Sequence, residues 1–208
     1  MRNAIRFLGL AALMATSVSC GDVVRQGSSP VYLVIDLLQG SRGGVTVGAP
    51  SGFLLSDVIT NVTSPAPCAP ATPCPTIFDD SGTVTLRAPL KDIGATAALS
   101  PTSNNEVTIN RVHIDYVRAD GRNTPGVDVP HAIDGAVTGT ITANGTLALG
   151  FELVRHTAKE EAPLVQLRSS SNFITVIAKV TFYGTDRTGN ALSVTGQIQI
   201  DFGNFGDF

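Results

Sequence analysis

Tryptophan is absent from the 208 residues, aromatics make up 6%, and there are three histidines and three cysteines. Each scarcity excludes something. A transmembrane β-barrel needs aromatic girdles at both membrane interfaces, so a barrel is not expected although the chain ends in Phe208. Gly203, Asn204 and Gly206 also spoil a last barrel strand. The longest apolar run near the start, Phe7 to Ala15, covers roughly 14 Å as a helix, about half of a bilayer core. It is too short to span. His113, His131 and His156 include no pair at the i,i+4 spacing of a helical zinc site, and no G-x-S-x-G segment marks an activated serine. Charged residues are only 15%, and the net charge is −3.

What is present begins with the leader. Arg2 and Arg6 give a positive start with no acid, the apolar run follows, and Thr16-Ser17-Val18-Ser19 leads to Cys20-Gly21. This is the layout of a cleaved export signal. The segment resembles the lipoprotein signal peptides of bacteria, with Ser19 as the small residue before the cysteine; Ser17 departs from the aliphatic residue usual in that family. The resemblance implies diacylation of Cys20, which becomes the first residue of the mature protein. Two or three acyl chains give stable attachment, because each buried methylene contributes about 0.8 kcal/mol and a single chain binds only marginally. The family's inner-membrane retention signal, an aspartate directly after the cysteine, is replaced by Gly21, which favours the outer membrane. The competing reading is plain secretion with a free Cys20.

Cleavage removes two of the 14 basic residues and none of the 17 acids, which leaves a net charge near −5. That argues against nucleic acid, whose phosphates need a basic stripe. Thr, Ser, Val and Gly are abundant, a β-rich composition. Residues 1–19 read as signal peptide, 20–29 as a lipidated tether and 30–208 as one domain.

Alternation at period two marks strands along that domain. Val31 to Leu38 is apolar on both parities, as in a strand covered on both sides. Residues 53–62 read as one or two strands. Val84, Leu86, Ala88 and Leu90 share a face, as do Val112, Ile114 and Tyr116 within 106–118. Val137 to Ile141 and Leu147 to Leu153 flank Asn144-Gly145, a strong hairpin signal. Residues 157–168 read as a short helical turn cut near Pro163. The last pair aligns Ile174, Val176, Ala178, Val180 and Phe182 with Leu192, Val194, Ile198, Ile200 and Phe202. The expectation is an all-β, antiparallel, two-sheet β-sandwich. The closing pair resembles that of immunoglobulin-like and fibronectin III-like domains of bacterial surface proteins, although the Cys…Trp…Cys core of true immunoglobulins is missing.

Cys68 and Cys74 flank a proline-rich stretch and read as a disulfide, the expected state of an even pair in an exported chain. Five residues separate them, not the two of a redox motif. Acids gather with Gly and Asn at Asp79-Asp80, at Asp120-Gly121-Arg122-Asn123 running on to Asp128, and at Asp186 to Asn190. Asp120, Asn123 and Asp128 are the best calcium ligands on offer, yet turns demand the same residue types without an ion. Asn61-Val62-Thr63 and Asn144-Gly145-Thr146 match the glycosylation acceptor pattern by chance. Tyr32, Tyr116 and Tyr183 fall in expected strands and serve the sheets rather than a sugar platform.

No cofactor is implied. The expectation is a non-catalytic, lipid-anchored envelope protein whose partner is another envelope protein or a polysaccharide. It would bind through loops at one end, with 120–131 and Cys68–Cys74 as candidates. The alternative is a hydrolase of envelope polymers, with Asp115 paired with Asp120 or Asp128.

Overall fold

A computed structural model describes residues 28–91 and 101–206. The leader, Cys20, most of the tether and Phe208 lie outside the described residues. Ten strands dominate: β1 (Val34–Ser41), β2 (Phe53–Asp57), β3 (Thr60–Val62), β4 (Cys74–Thr76), β5 (Asp80–Arg87), β6 (Val107–Val117), β7 (Ile133–Ile141), β8 (Thr146–Val154), β9 (Phe173–Asp186) and β10 (Ala191–Gly203). One short helix, α1 (His156–Glu160), and a 3-10 turn at Leu164–Leu167 fill the expected helical stretch, with Pro163 between them.

The strands form a five-stranded sheet, β2-β10-β9-β6-β7, a three-stranded sheet, β1-β5-β8, and the small β3-β4 pair. The two larger sheets curl around one core as a half-barrel. A single bridge between Gly40 and Ser51 links the end of β1 to the entrance of β2. The alternating faces meet where the sequence puts them: Val176, Ala178, Val180 and Phe182 of β9 are buried, as are Ile198, Ile200 and Phe202 of β10. Phe151 of β8 meets Phe182 edge-on at 5.3 Å, and Tyr116 meets Phe202 at 6.2 Å, favourable aromatic arrangements. The Tyr116 hydroxyl donates to the Leu153 carbonyl at 2.7 Å, so one bond ties β6 to β8 across the core. Gly82 is needed because a Cβ there would enter the Phe151 ring.

The 53–62 stretch, read as one or two strands, forms two, β2 and β3. Three expectations shift. The sheets are not wholly antiparallel, since β2 runs parallel to β10. The first strand starts at Val34, and a bulge between Ile35 and Leu37 resets its parity. That is why the stretch is apolar on both parities while Leu37 stays exposed. Asn144-Gly145 does turn the chain, with Asn144 at φ 60°. Yet β7 pairs with β6 and β8 pairs with β5, so the turn crosses between sheets. Gly139 of β7 packs against Leu147 and Leu149 of β8, face to face rather than edge to edge.

Register divides the molecule into two ends. Asp186 pairs with Val107, and Val107 with Ile141, at one end of the large sheet. Ser29 hydrogen-bonds Asp186, and Val31 bridges Leu90, so the described chain enters here. The turns 142–145 and 187–190 lie at this entry end, as do residues 88–91 and 101–106. Ile177 pairs with Val117, and Gly203 with Phe173 and Asp57, at the other end. There emerge 42–52, 58–79, 118–132 and 155–172.

Candidate functional site

The loop-bearing end gathers most of the chemistry. Its first element is the disulfide, Cys68 Sγ to Cys74 Sγ at 2.06 Å, which closes the proline-rich turn beyond β3 and β4. The second is the 118–132 loop. The Asp120 carboxylate accepts from the guanidinium groups of Arg118 and Arg122 at 2.7 and 3.1 Å. The Arg118 hydrogen bond, then the Arg122 backbone N–H, hold the Asp120 carboxyl down at about 2. Asn123 Oδ1 accepts from the Arg118 N–H at 2.6 Å, and Asp128 Oδ2 from the Thr124 N–H at 3.2 Å. Asp120, Asn123 and Asp128, the residues picked out as calcium ligands, therefore each accept from the loop's own backbone or arginines. Among the described residues, no group of three His, Cys, Asp or Glu side chains is placed to hold a metal.

The histidines are spread over the molecule. His113 sits on the outer face of the large sheet, with Nδ1 3.0 Å from Asp134 and Nε2 3.1 Å from Asp115. Arg111 lies beside them, 4.0 Å over the Tyr183 ring, a cation–π contact. His156 contacts Asp79 at 2.9 Å through Nδ1 and also donates its backbone N–H to the same carboxylate. His131 lies against Gly126. Asp115 and Asp120, the acids set aside for hydrolysis, are thus partnered by His113 and by two arginines.

A third element lies beneath the loops. Lys159 of α1 and Asp80 of β5 face each other at 2.8 Å, with side chains 1% and 0% exposed. Ser56 donates its hydroxyl to Asp80 Oδ2 at 2.5 Å, and the Gly43 N–H donates to Oδ1 at 2.8 Å. Lys159 Nζ also donates to the Phe78 carbonyl at 2.8 Å. Burial pushes the Asp80 carboxyl up, against the pull of Lys159 and the Ser56 and Gly43 hydrogen bonds. Lys and Asp are almost never fully buried unless paired. This cluster was missed when Asp79-Asp80 read as turn residues. The signal was parity: Asp80 stands in step with Val84 and Leu86, on the inward face of β5.

Finally, the outer face of the large sheet carries an apolar region at this end. Phe53, Leu55 and Phe173 are exposed. A cleft of about 410 Å³ beside them is lined by Arg118, Asp120, Phe173, Thr175, Ile177 and Gln199. Thr175 in its wall donates its hydroxyl to Asp201 at 2.6 Å. Tyr32, expected in a strand, lies just before β1 and is exposed. No protein-family model matches the chain, and no curated protein is detectably similar to it in sequence.

Proposed function

We propose that this is a non-catalytic protein of the bacterial envelope, an immunoglobulin-like β-sandwich tethered by lipid on Cys20. Its loop-bearing end engages another envelope protein or a polysaccharide. One observation carries the reading: the long loops stand at the end opposite to chain entry. The 14-residue strand β9 spans between the ends, a length of about 45 Å at the usual rise per residue. Cys20 precedes Ser28 by eight residues, which reach no further than about 29 Å fully extended. A lipid on Cys20 therefore stays at least about 16 Å short of the loop-bearing end, which favours loops that project away from the membrane.

Two experiments test this. Cys20→Ser is expected to abolish palmitate labelling and to release the protein from the membrane fraction; retention of both would end the lipoprotein reading. An epitope in the Asp120–Asp128 loop is then followed by proteinase digestion of intact and lysed cells. Cleavage on intact cells points to an external ligand, and protection until lysis to a periplasmic partner, sought by cross-linking from the same loop. The hydrolase alternative makes the opposite prediction: turnover of an envelope polymer by the pure protein, lost on alanine substitution of Asp115, Asp120 or Asp128.

A further inference from the structure

We propose that Lys159 and Asp80 are joined by an intramolecular amide bond that forms in the folded protein without any added reagent. The inference is independent of what the protein binds and of whether Cys20 is lipidated.

The case rests on placement. A primary amine and a carboxylic acid are held 2.8 Å apart between Nζ and Oδ2, and neither side chain reaches solvent. Each reactant is fixed by separate contacts. The Phe78 carbonyl orients the amine, and the Ser56 hydroxyl and Gly43 N–H point at the two carboxyl oxygens. Holding reacting groups at such a distance converts an otherwise bimolecular condensation into a unimolecular one. The Gly43 N–H, aimed at Oδ1, stabilises the negative charge that develops there when a nucleophile adds to the carboxyl carbon, and the Ser56 hydroxyl donates to Oδ2, the oxygen that leaves.

The step balances without a co-reactant. The Lys159 ammonium passes a proton to the Asp80 carboxylate, giving a neutral amine and a neutral acid. Burial favours the acid form of Asp80, pushing its carboxyl up. The amine lone pair adds to Cγ, so the Nζ–Cγ bond forms. Oδ2 then leaves as water, taking its acid proton and one proton from the nitrogen, and the Cγ–Oδ2 bond breaks. One molecule of water is lost and no oxidant is used. The exclusion of water from the site also opposes hydrolysis of the product. The link would fasten the start of β5 to α1 beneath the loop-bearing end.

The test is a tryptic digest of the full-length protein extracted from cells, after reduction and alkylation. Residues 43–87 contain no internal Lys or Arg except the final Arg87, and Lys159 is the sole internal site in 156–168. The amide predicts one branched species, 43–87 joined to 156–168, lighter than the sum of its two peptides by one water. Cleavage after Lys159 is then blocked. Separate peptides 43–87, 156–159 and 160–168 at full mass would overturn the proposal. Ser56→Ala leaves both reactants in place and is expected to lower the branched fraction severalfold; an unchanged fraction would remove the serine from the mechanism. A branched species that survives Lys159→Arg would overturn the assignment of the amine.

Discussion

The two ends of the molecule are built differently. At the entry end the turns are closed mainly by their own residues, with Arg187 to Glu106 at 2.6 Å and Ser29 to Asp186 as contacts from further along the chain. Asp186 accepts from the backbone N–H groups of Thr188 and Asn190, at 2.9 and 2.8 Å, and from both of their side chains. Thr142 accepts from the Gly145 N–H across the other turn. At the loop-bearing end the polar contacts join residues far apart in the chain: Gly43 and Ser56 to Asp80, Lys159 to Phe78 and Asp80, His156 to Asp79, Arg155 to the Asp134 carbonyl. The first kind of structure is fixed mostly by neighbours. The second exists only once the whole fold has formed, so it is where single changes should reach furthest.

The largest expected effect follows directly. Lys159→Ala removes both the proposed amide and the ion pair from which it forms, and leaves Asp80 buried without its partner, a loss of at least about 3 kcal/mol, the lower end for breaking a buried pair. Urea denaturation measures it. A shift below 1 kcal/mol would mean that the loop-bearing end is not held by this cluster, and the contrast between the ends would lose its main support. Replacing both Cys68 and Cys74 by serine should cost less, about 2 kcal/mol, since the closed loop is short. Hydrogen exchange should then quicken around β3 and β4 and leave the β9–β10 hairpin unchanged. Equal loosening of the hairpin would show that the disulfide braces more than its own turn.

The same division decides what could be read from the sequence. Faces were legible wherever alternation ran unbroken, as in β9 and β10, because burial on one side of a strand writes itself into every second residue. They were obscured where a bulge intervened. In β6 the register shifts between Ile109 and Arg111, so Asn110 and Arg111 both point outward before Val112 turns in. The Cys68–Cys74 pairing was legible because setting Cys20 aside leaves a single pair. The partners of β2 and of Asn144-Gly145 were not, since a turn signal specifies a reversal of the chain and not which strand receives it. Of the candidate site, the loops were visible in composition. The Asp80–Lys159 cluster was hidden because its members come from segments that each look like surface.

The smallest effects concern pH, and they set one end against the other. Burial pushes the Asp186 carboxyl up, but hydrogen bonds from Asn190 and Thr188 outweigh it and hold it at about 2, below the ordinary 3.8. A carboxyl depressed on folding stabilises the native state above its unfolded value, and that stability drains away as pH falls toward the folded one. The hairpin should therefore be fully stabilised above roughly pH 5 and lose about 1–2 kcal/mol on acidification to near pH 2. Asp186→Asn should flatten that part of the urea-midpoint profile while lowering the plateau. Asp120 is also held at about 2, by Arg118 and Arg122, but its side chain is 42% exposed. Solvent screens such a pair, and surface pairs contribute little. Asp120→Asn should leave the profile nearly unaltered in about 0.15 M salt, where charges interact over only about 8 Å. If the two substitutions flatten the profile equally, the 118–132 loop is as tightly built as the entry-end turn, and the contrast drawn between the two ends would have to be given up.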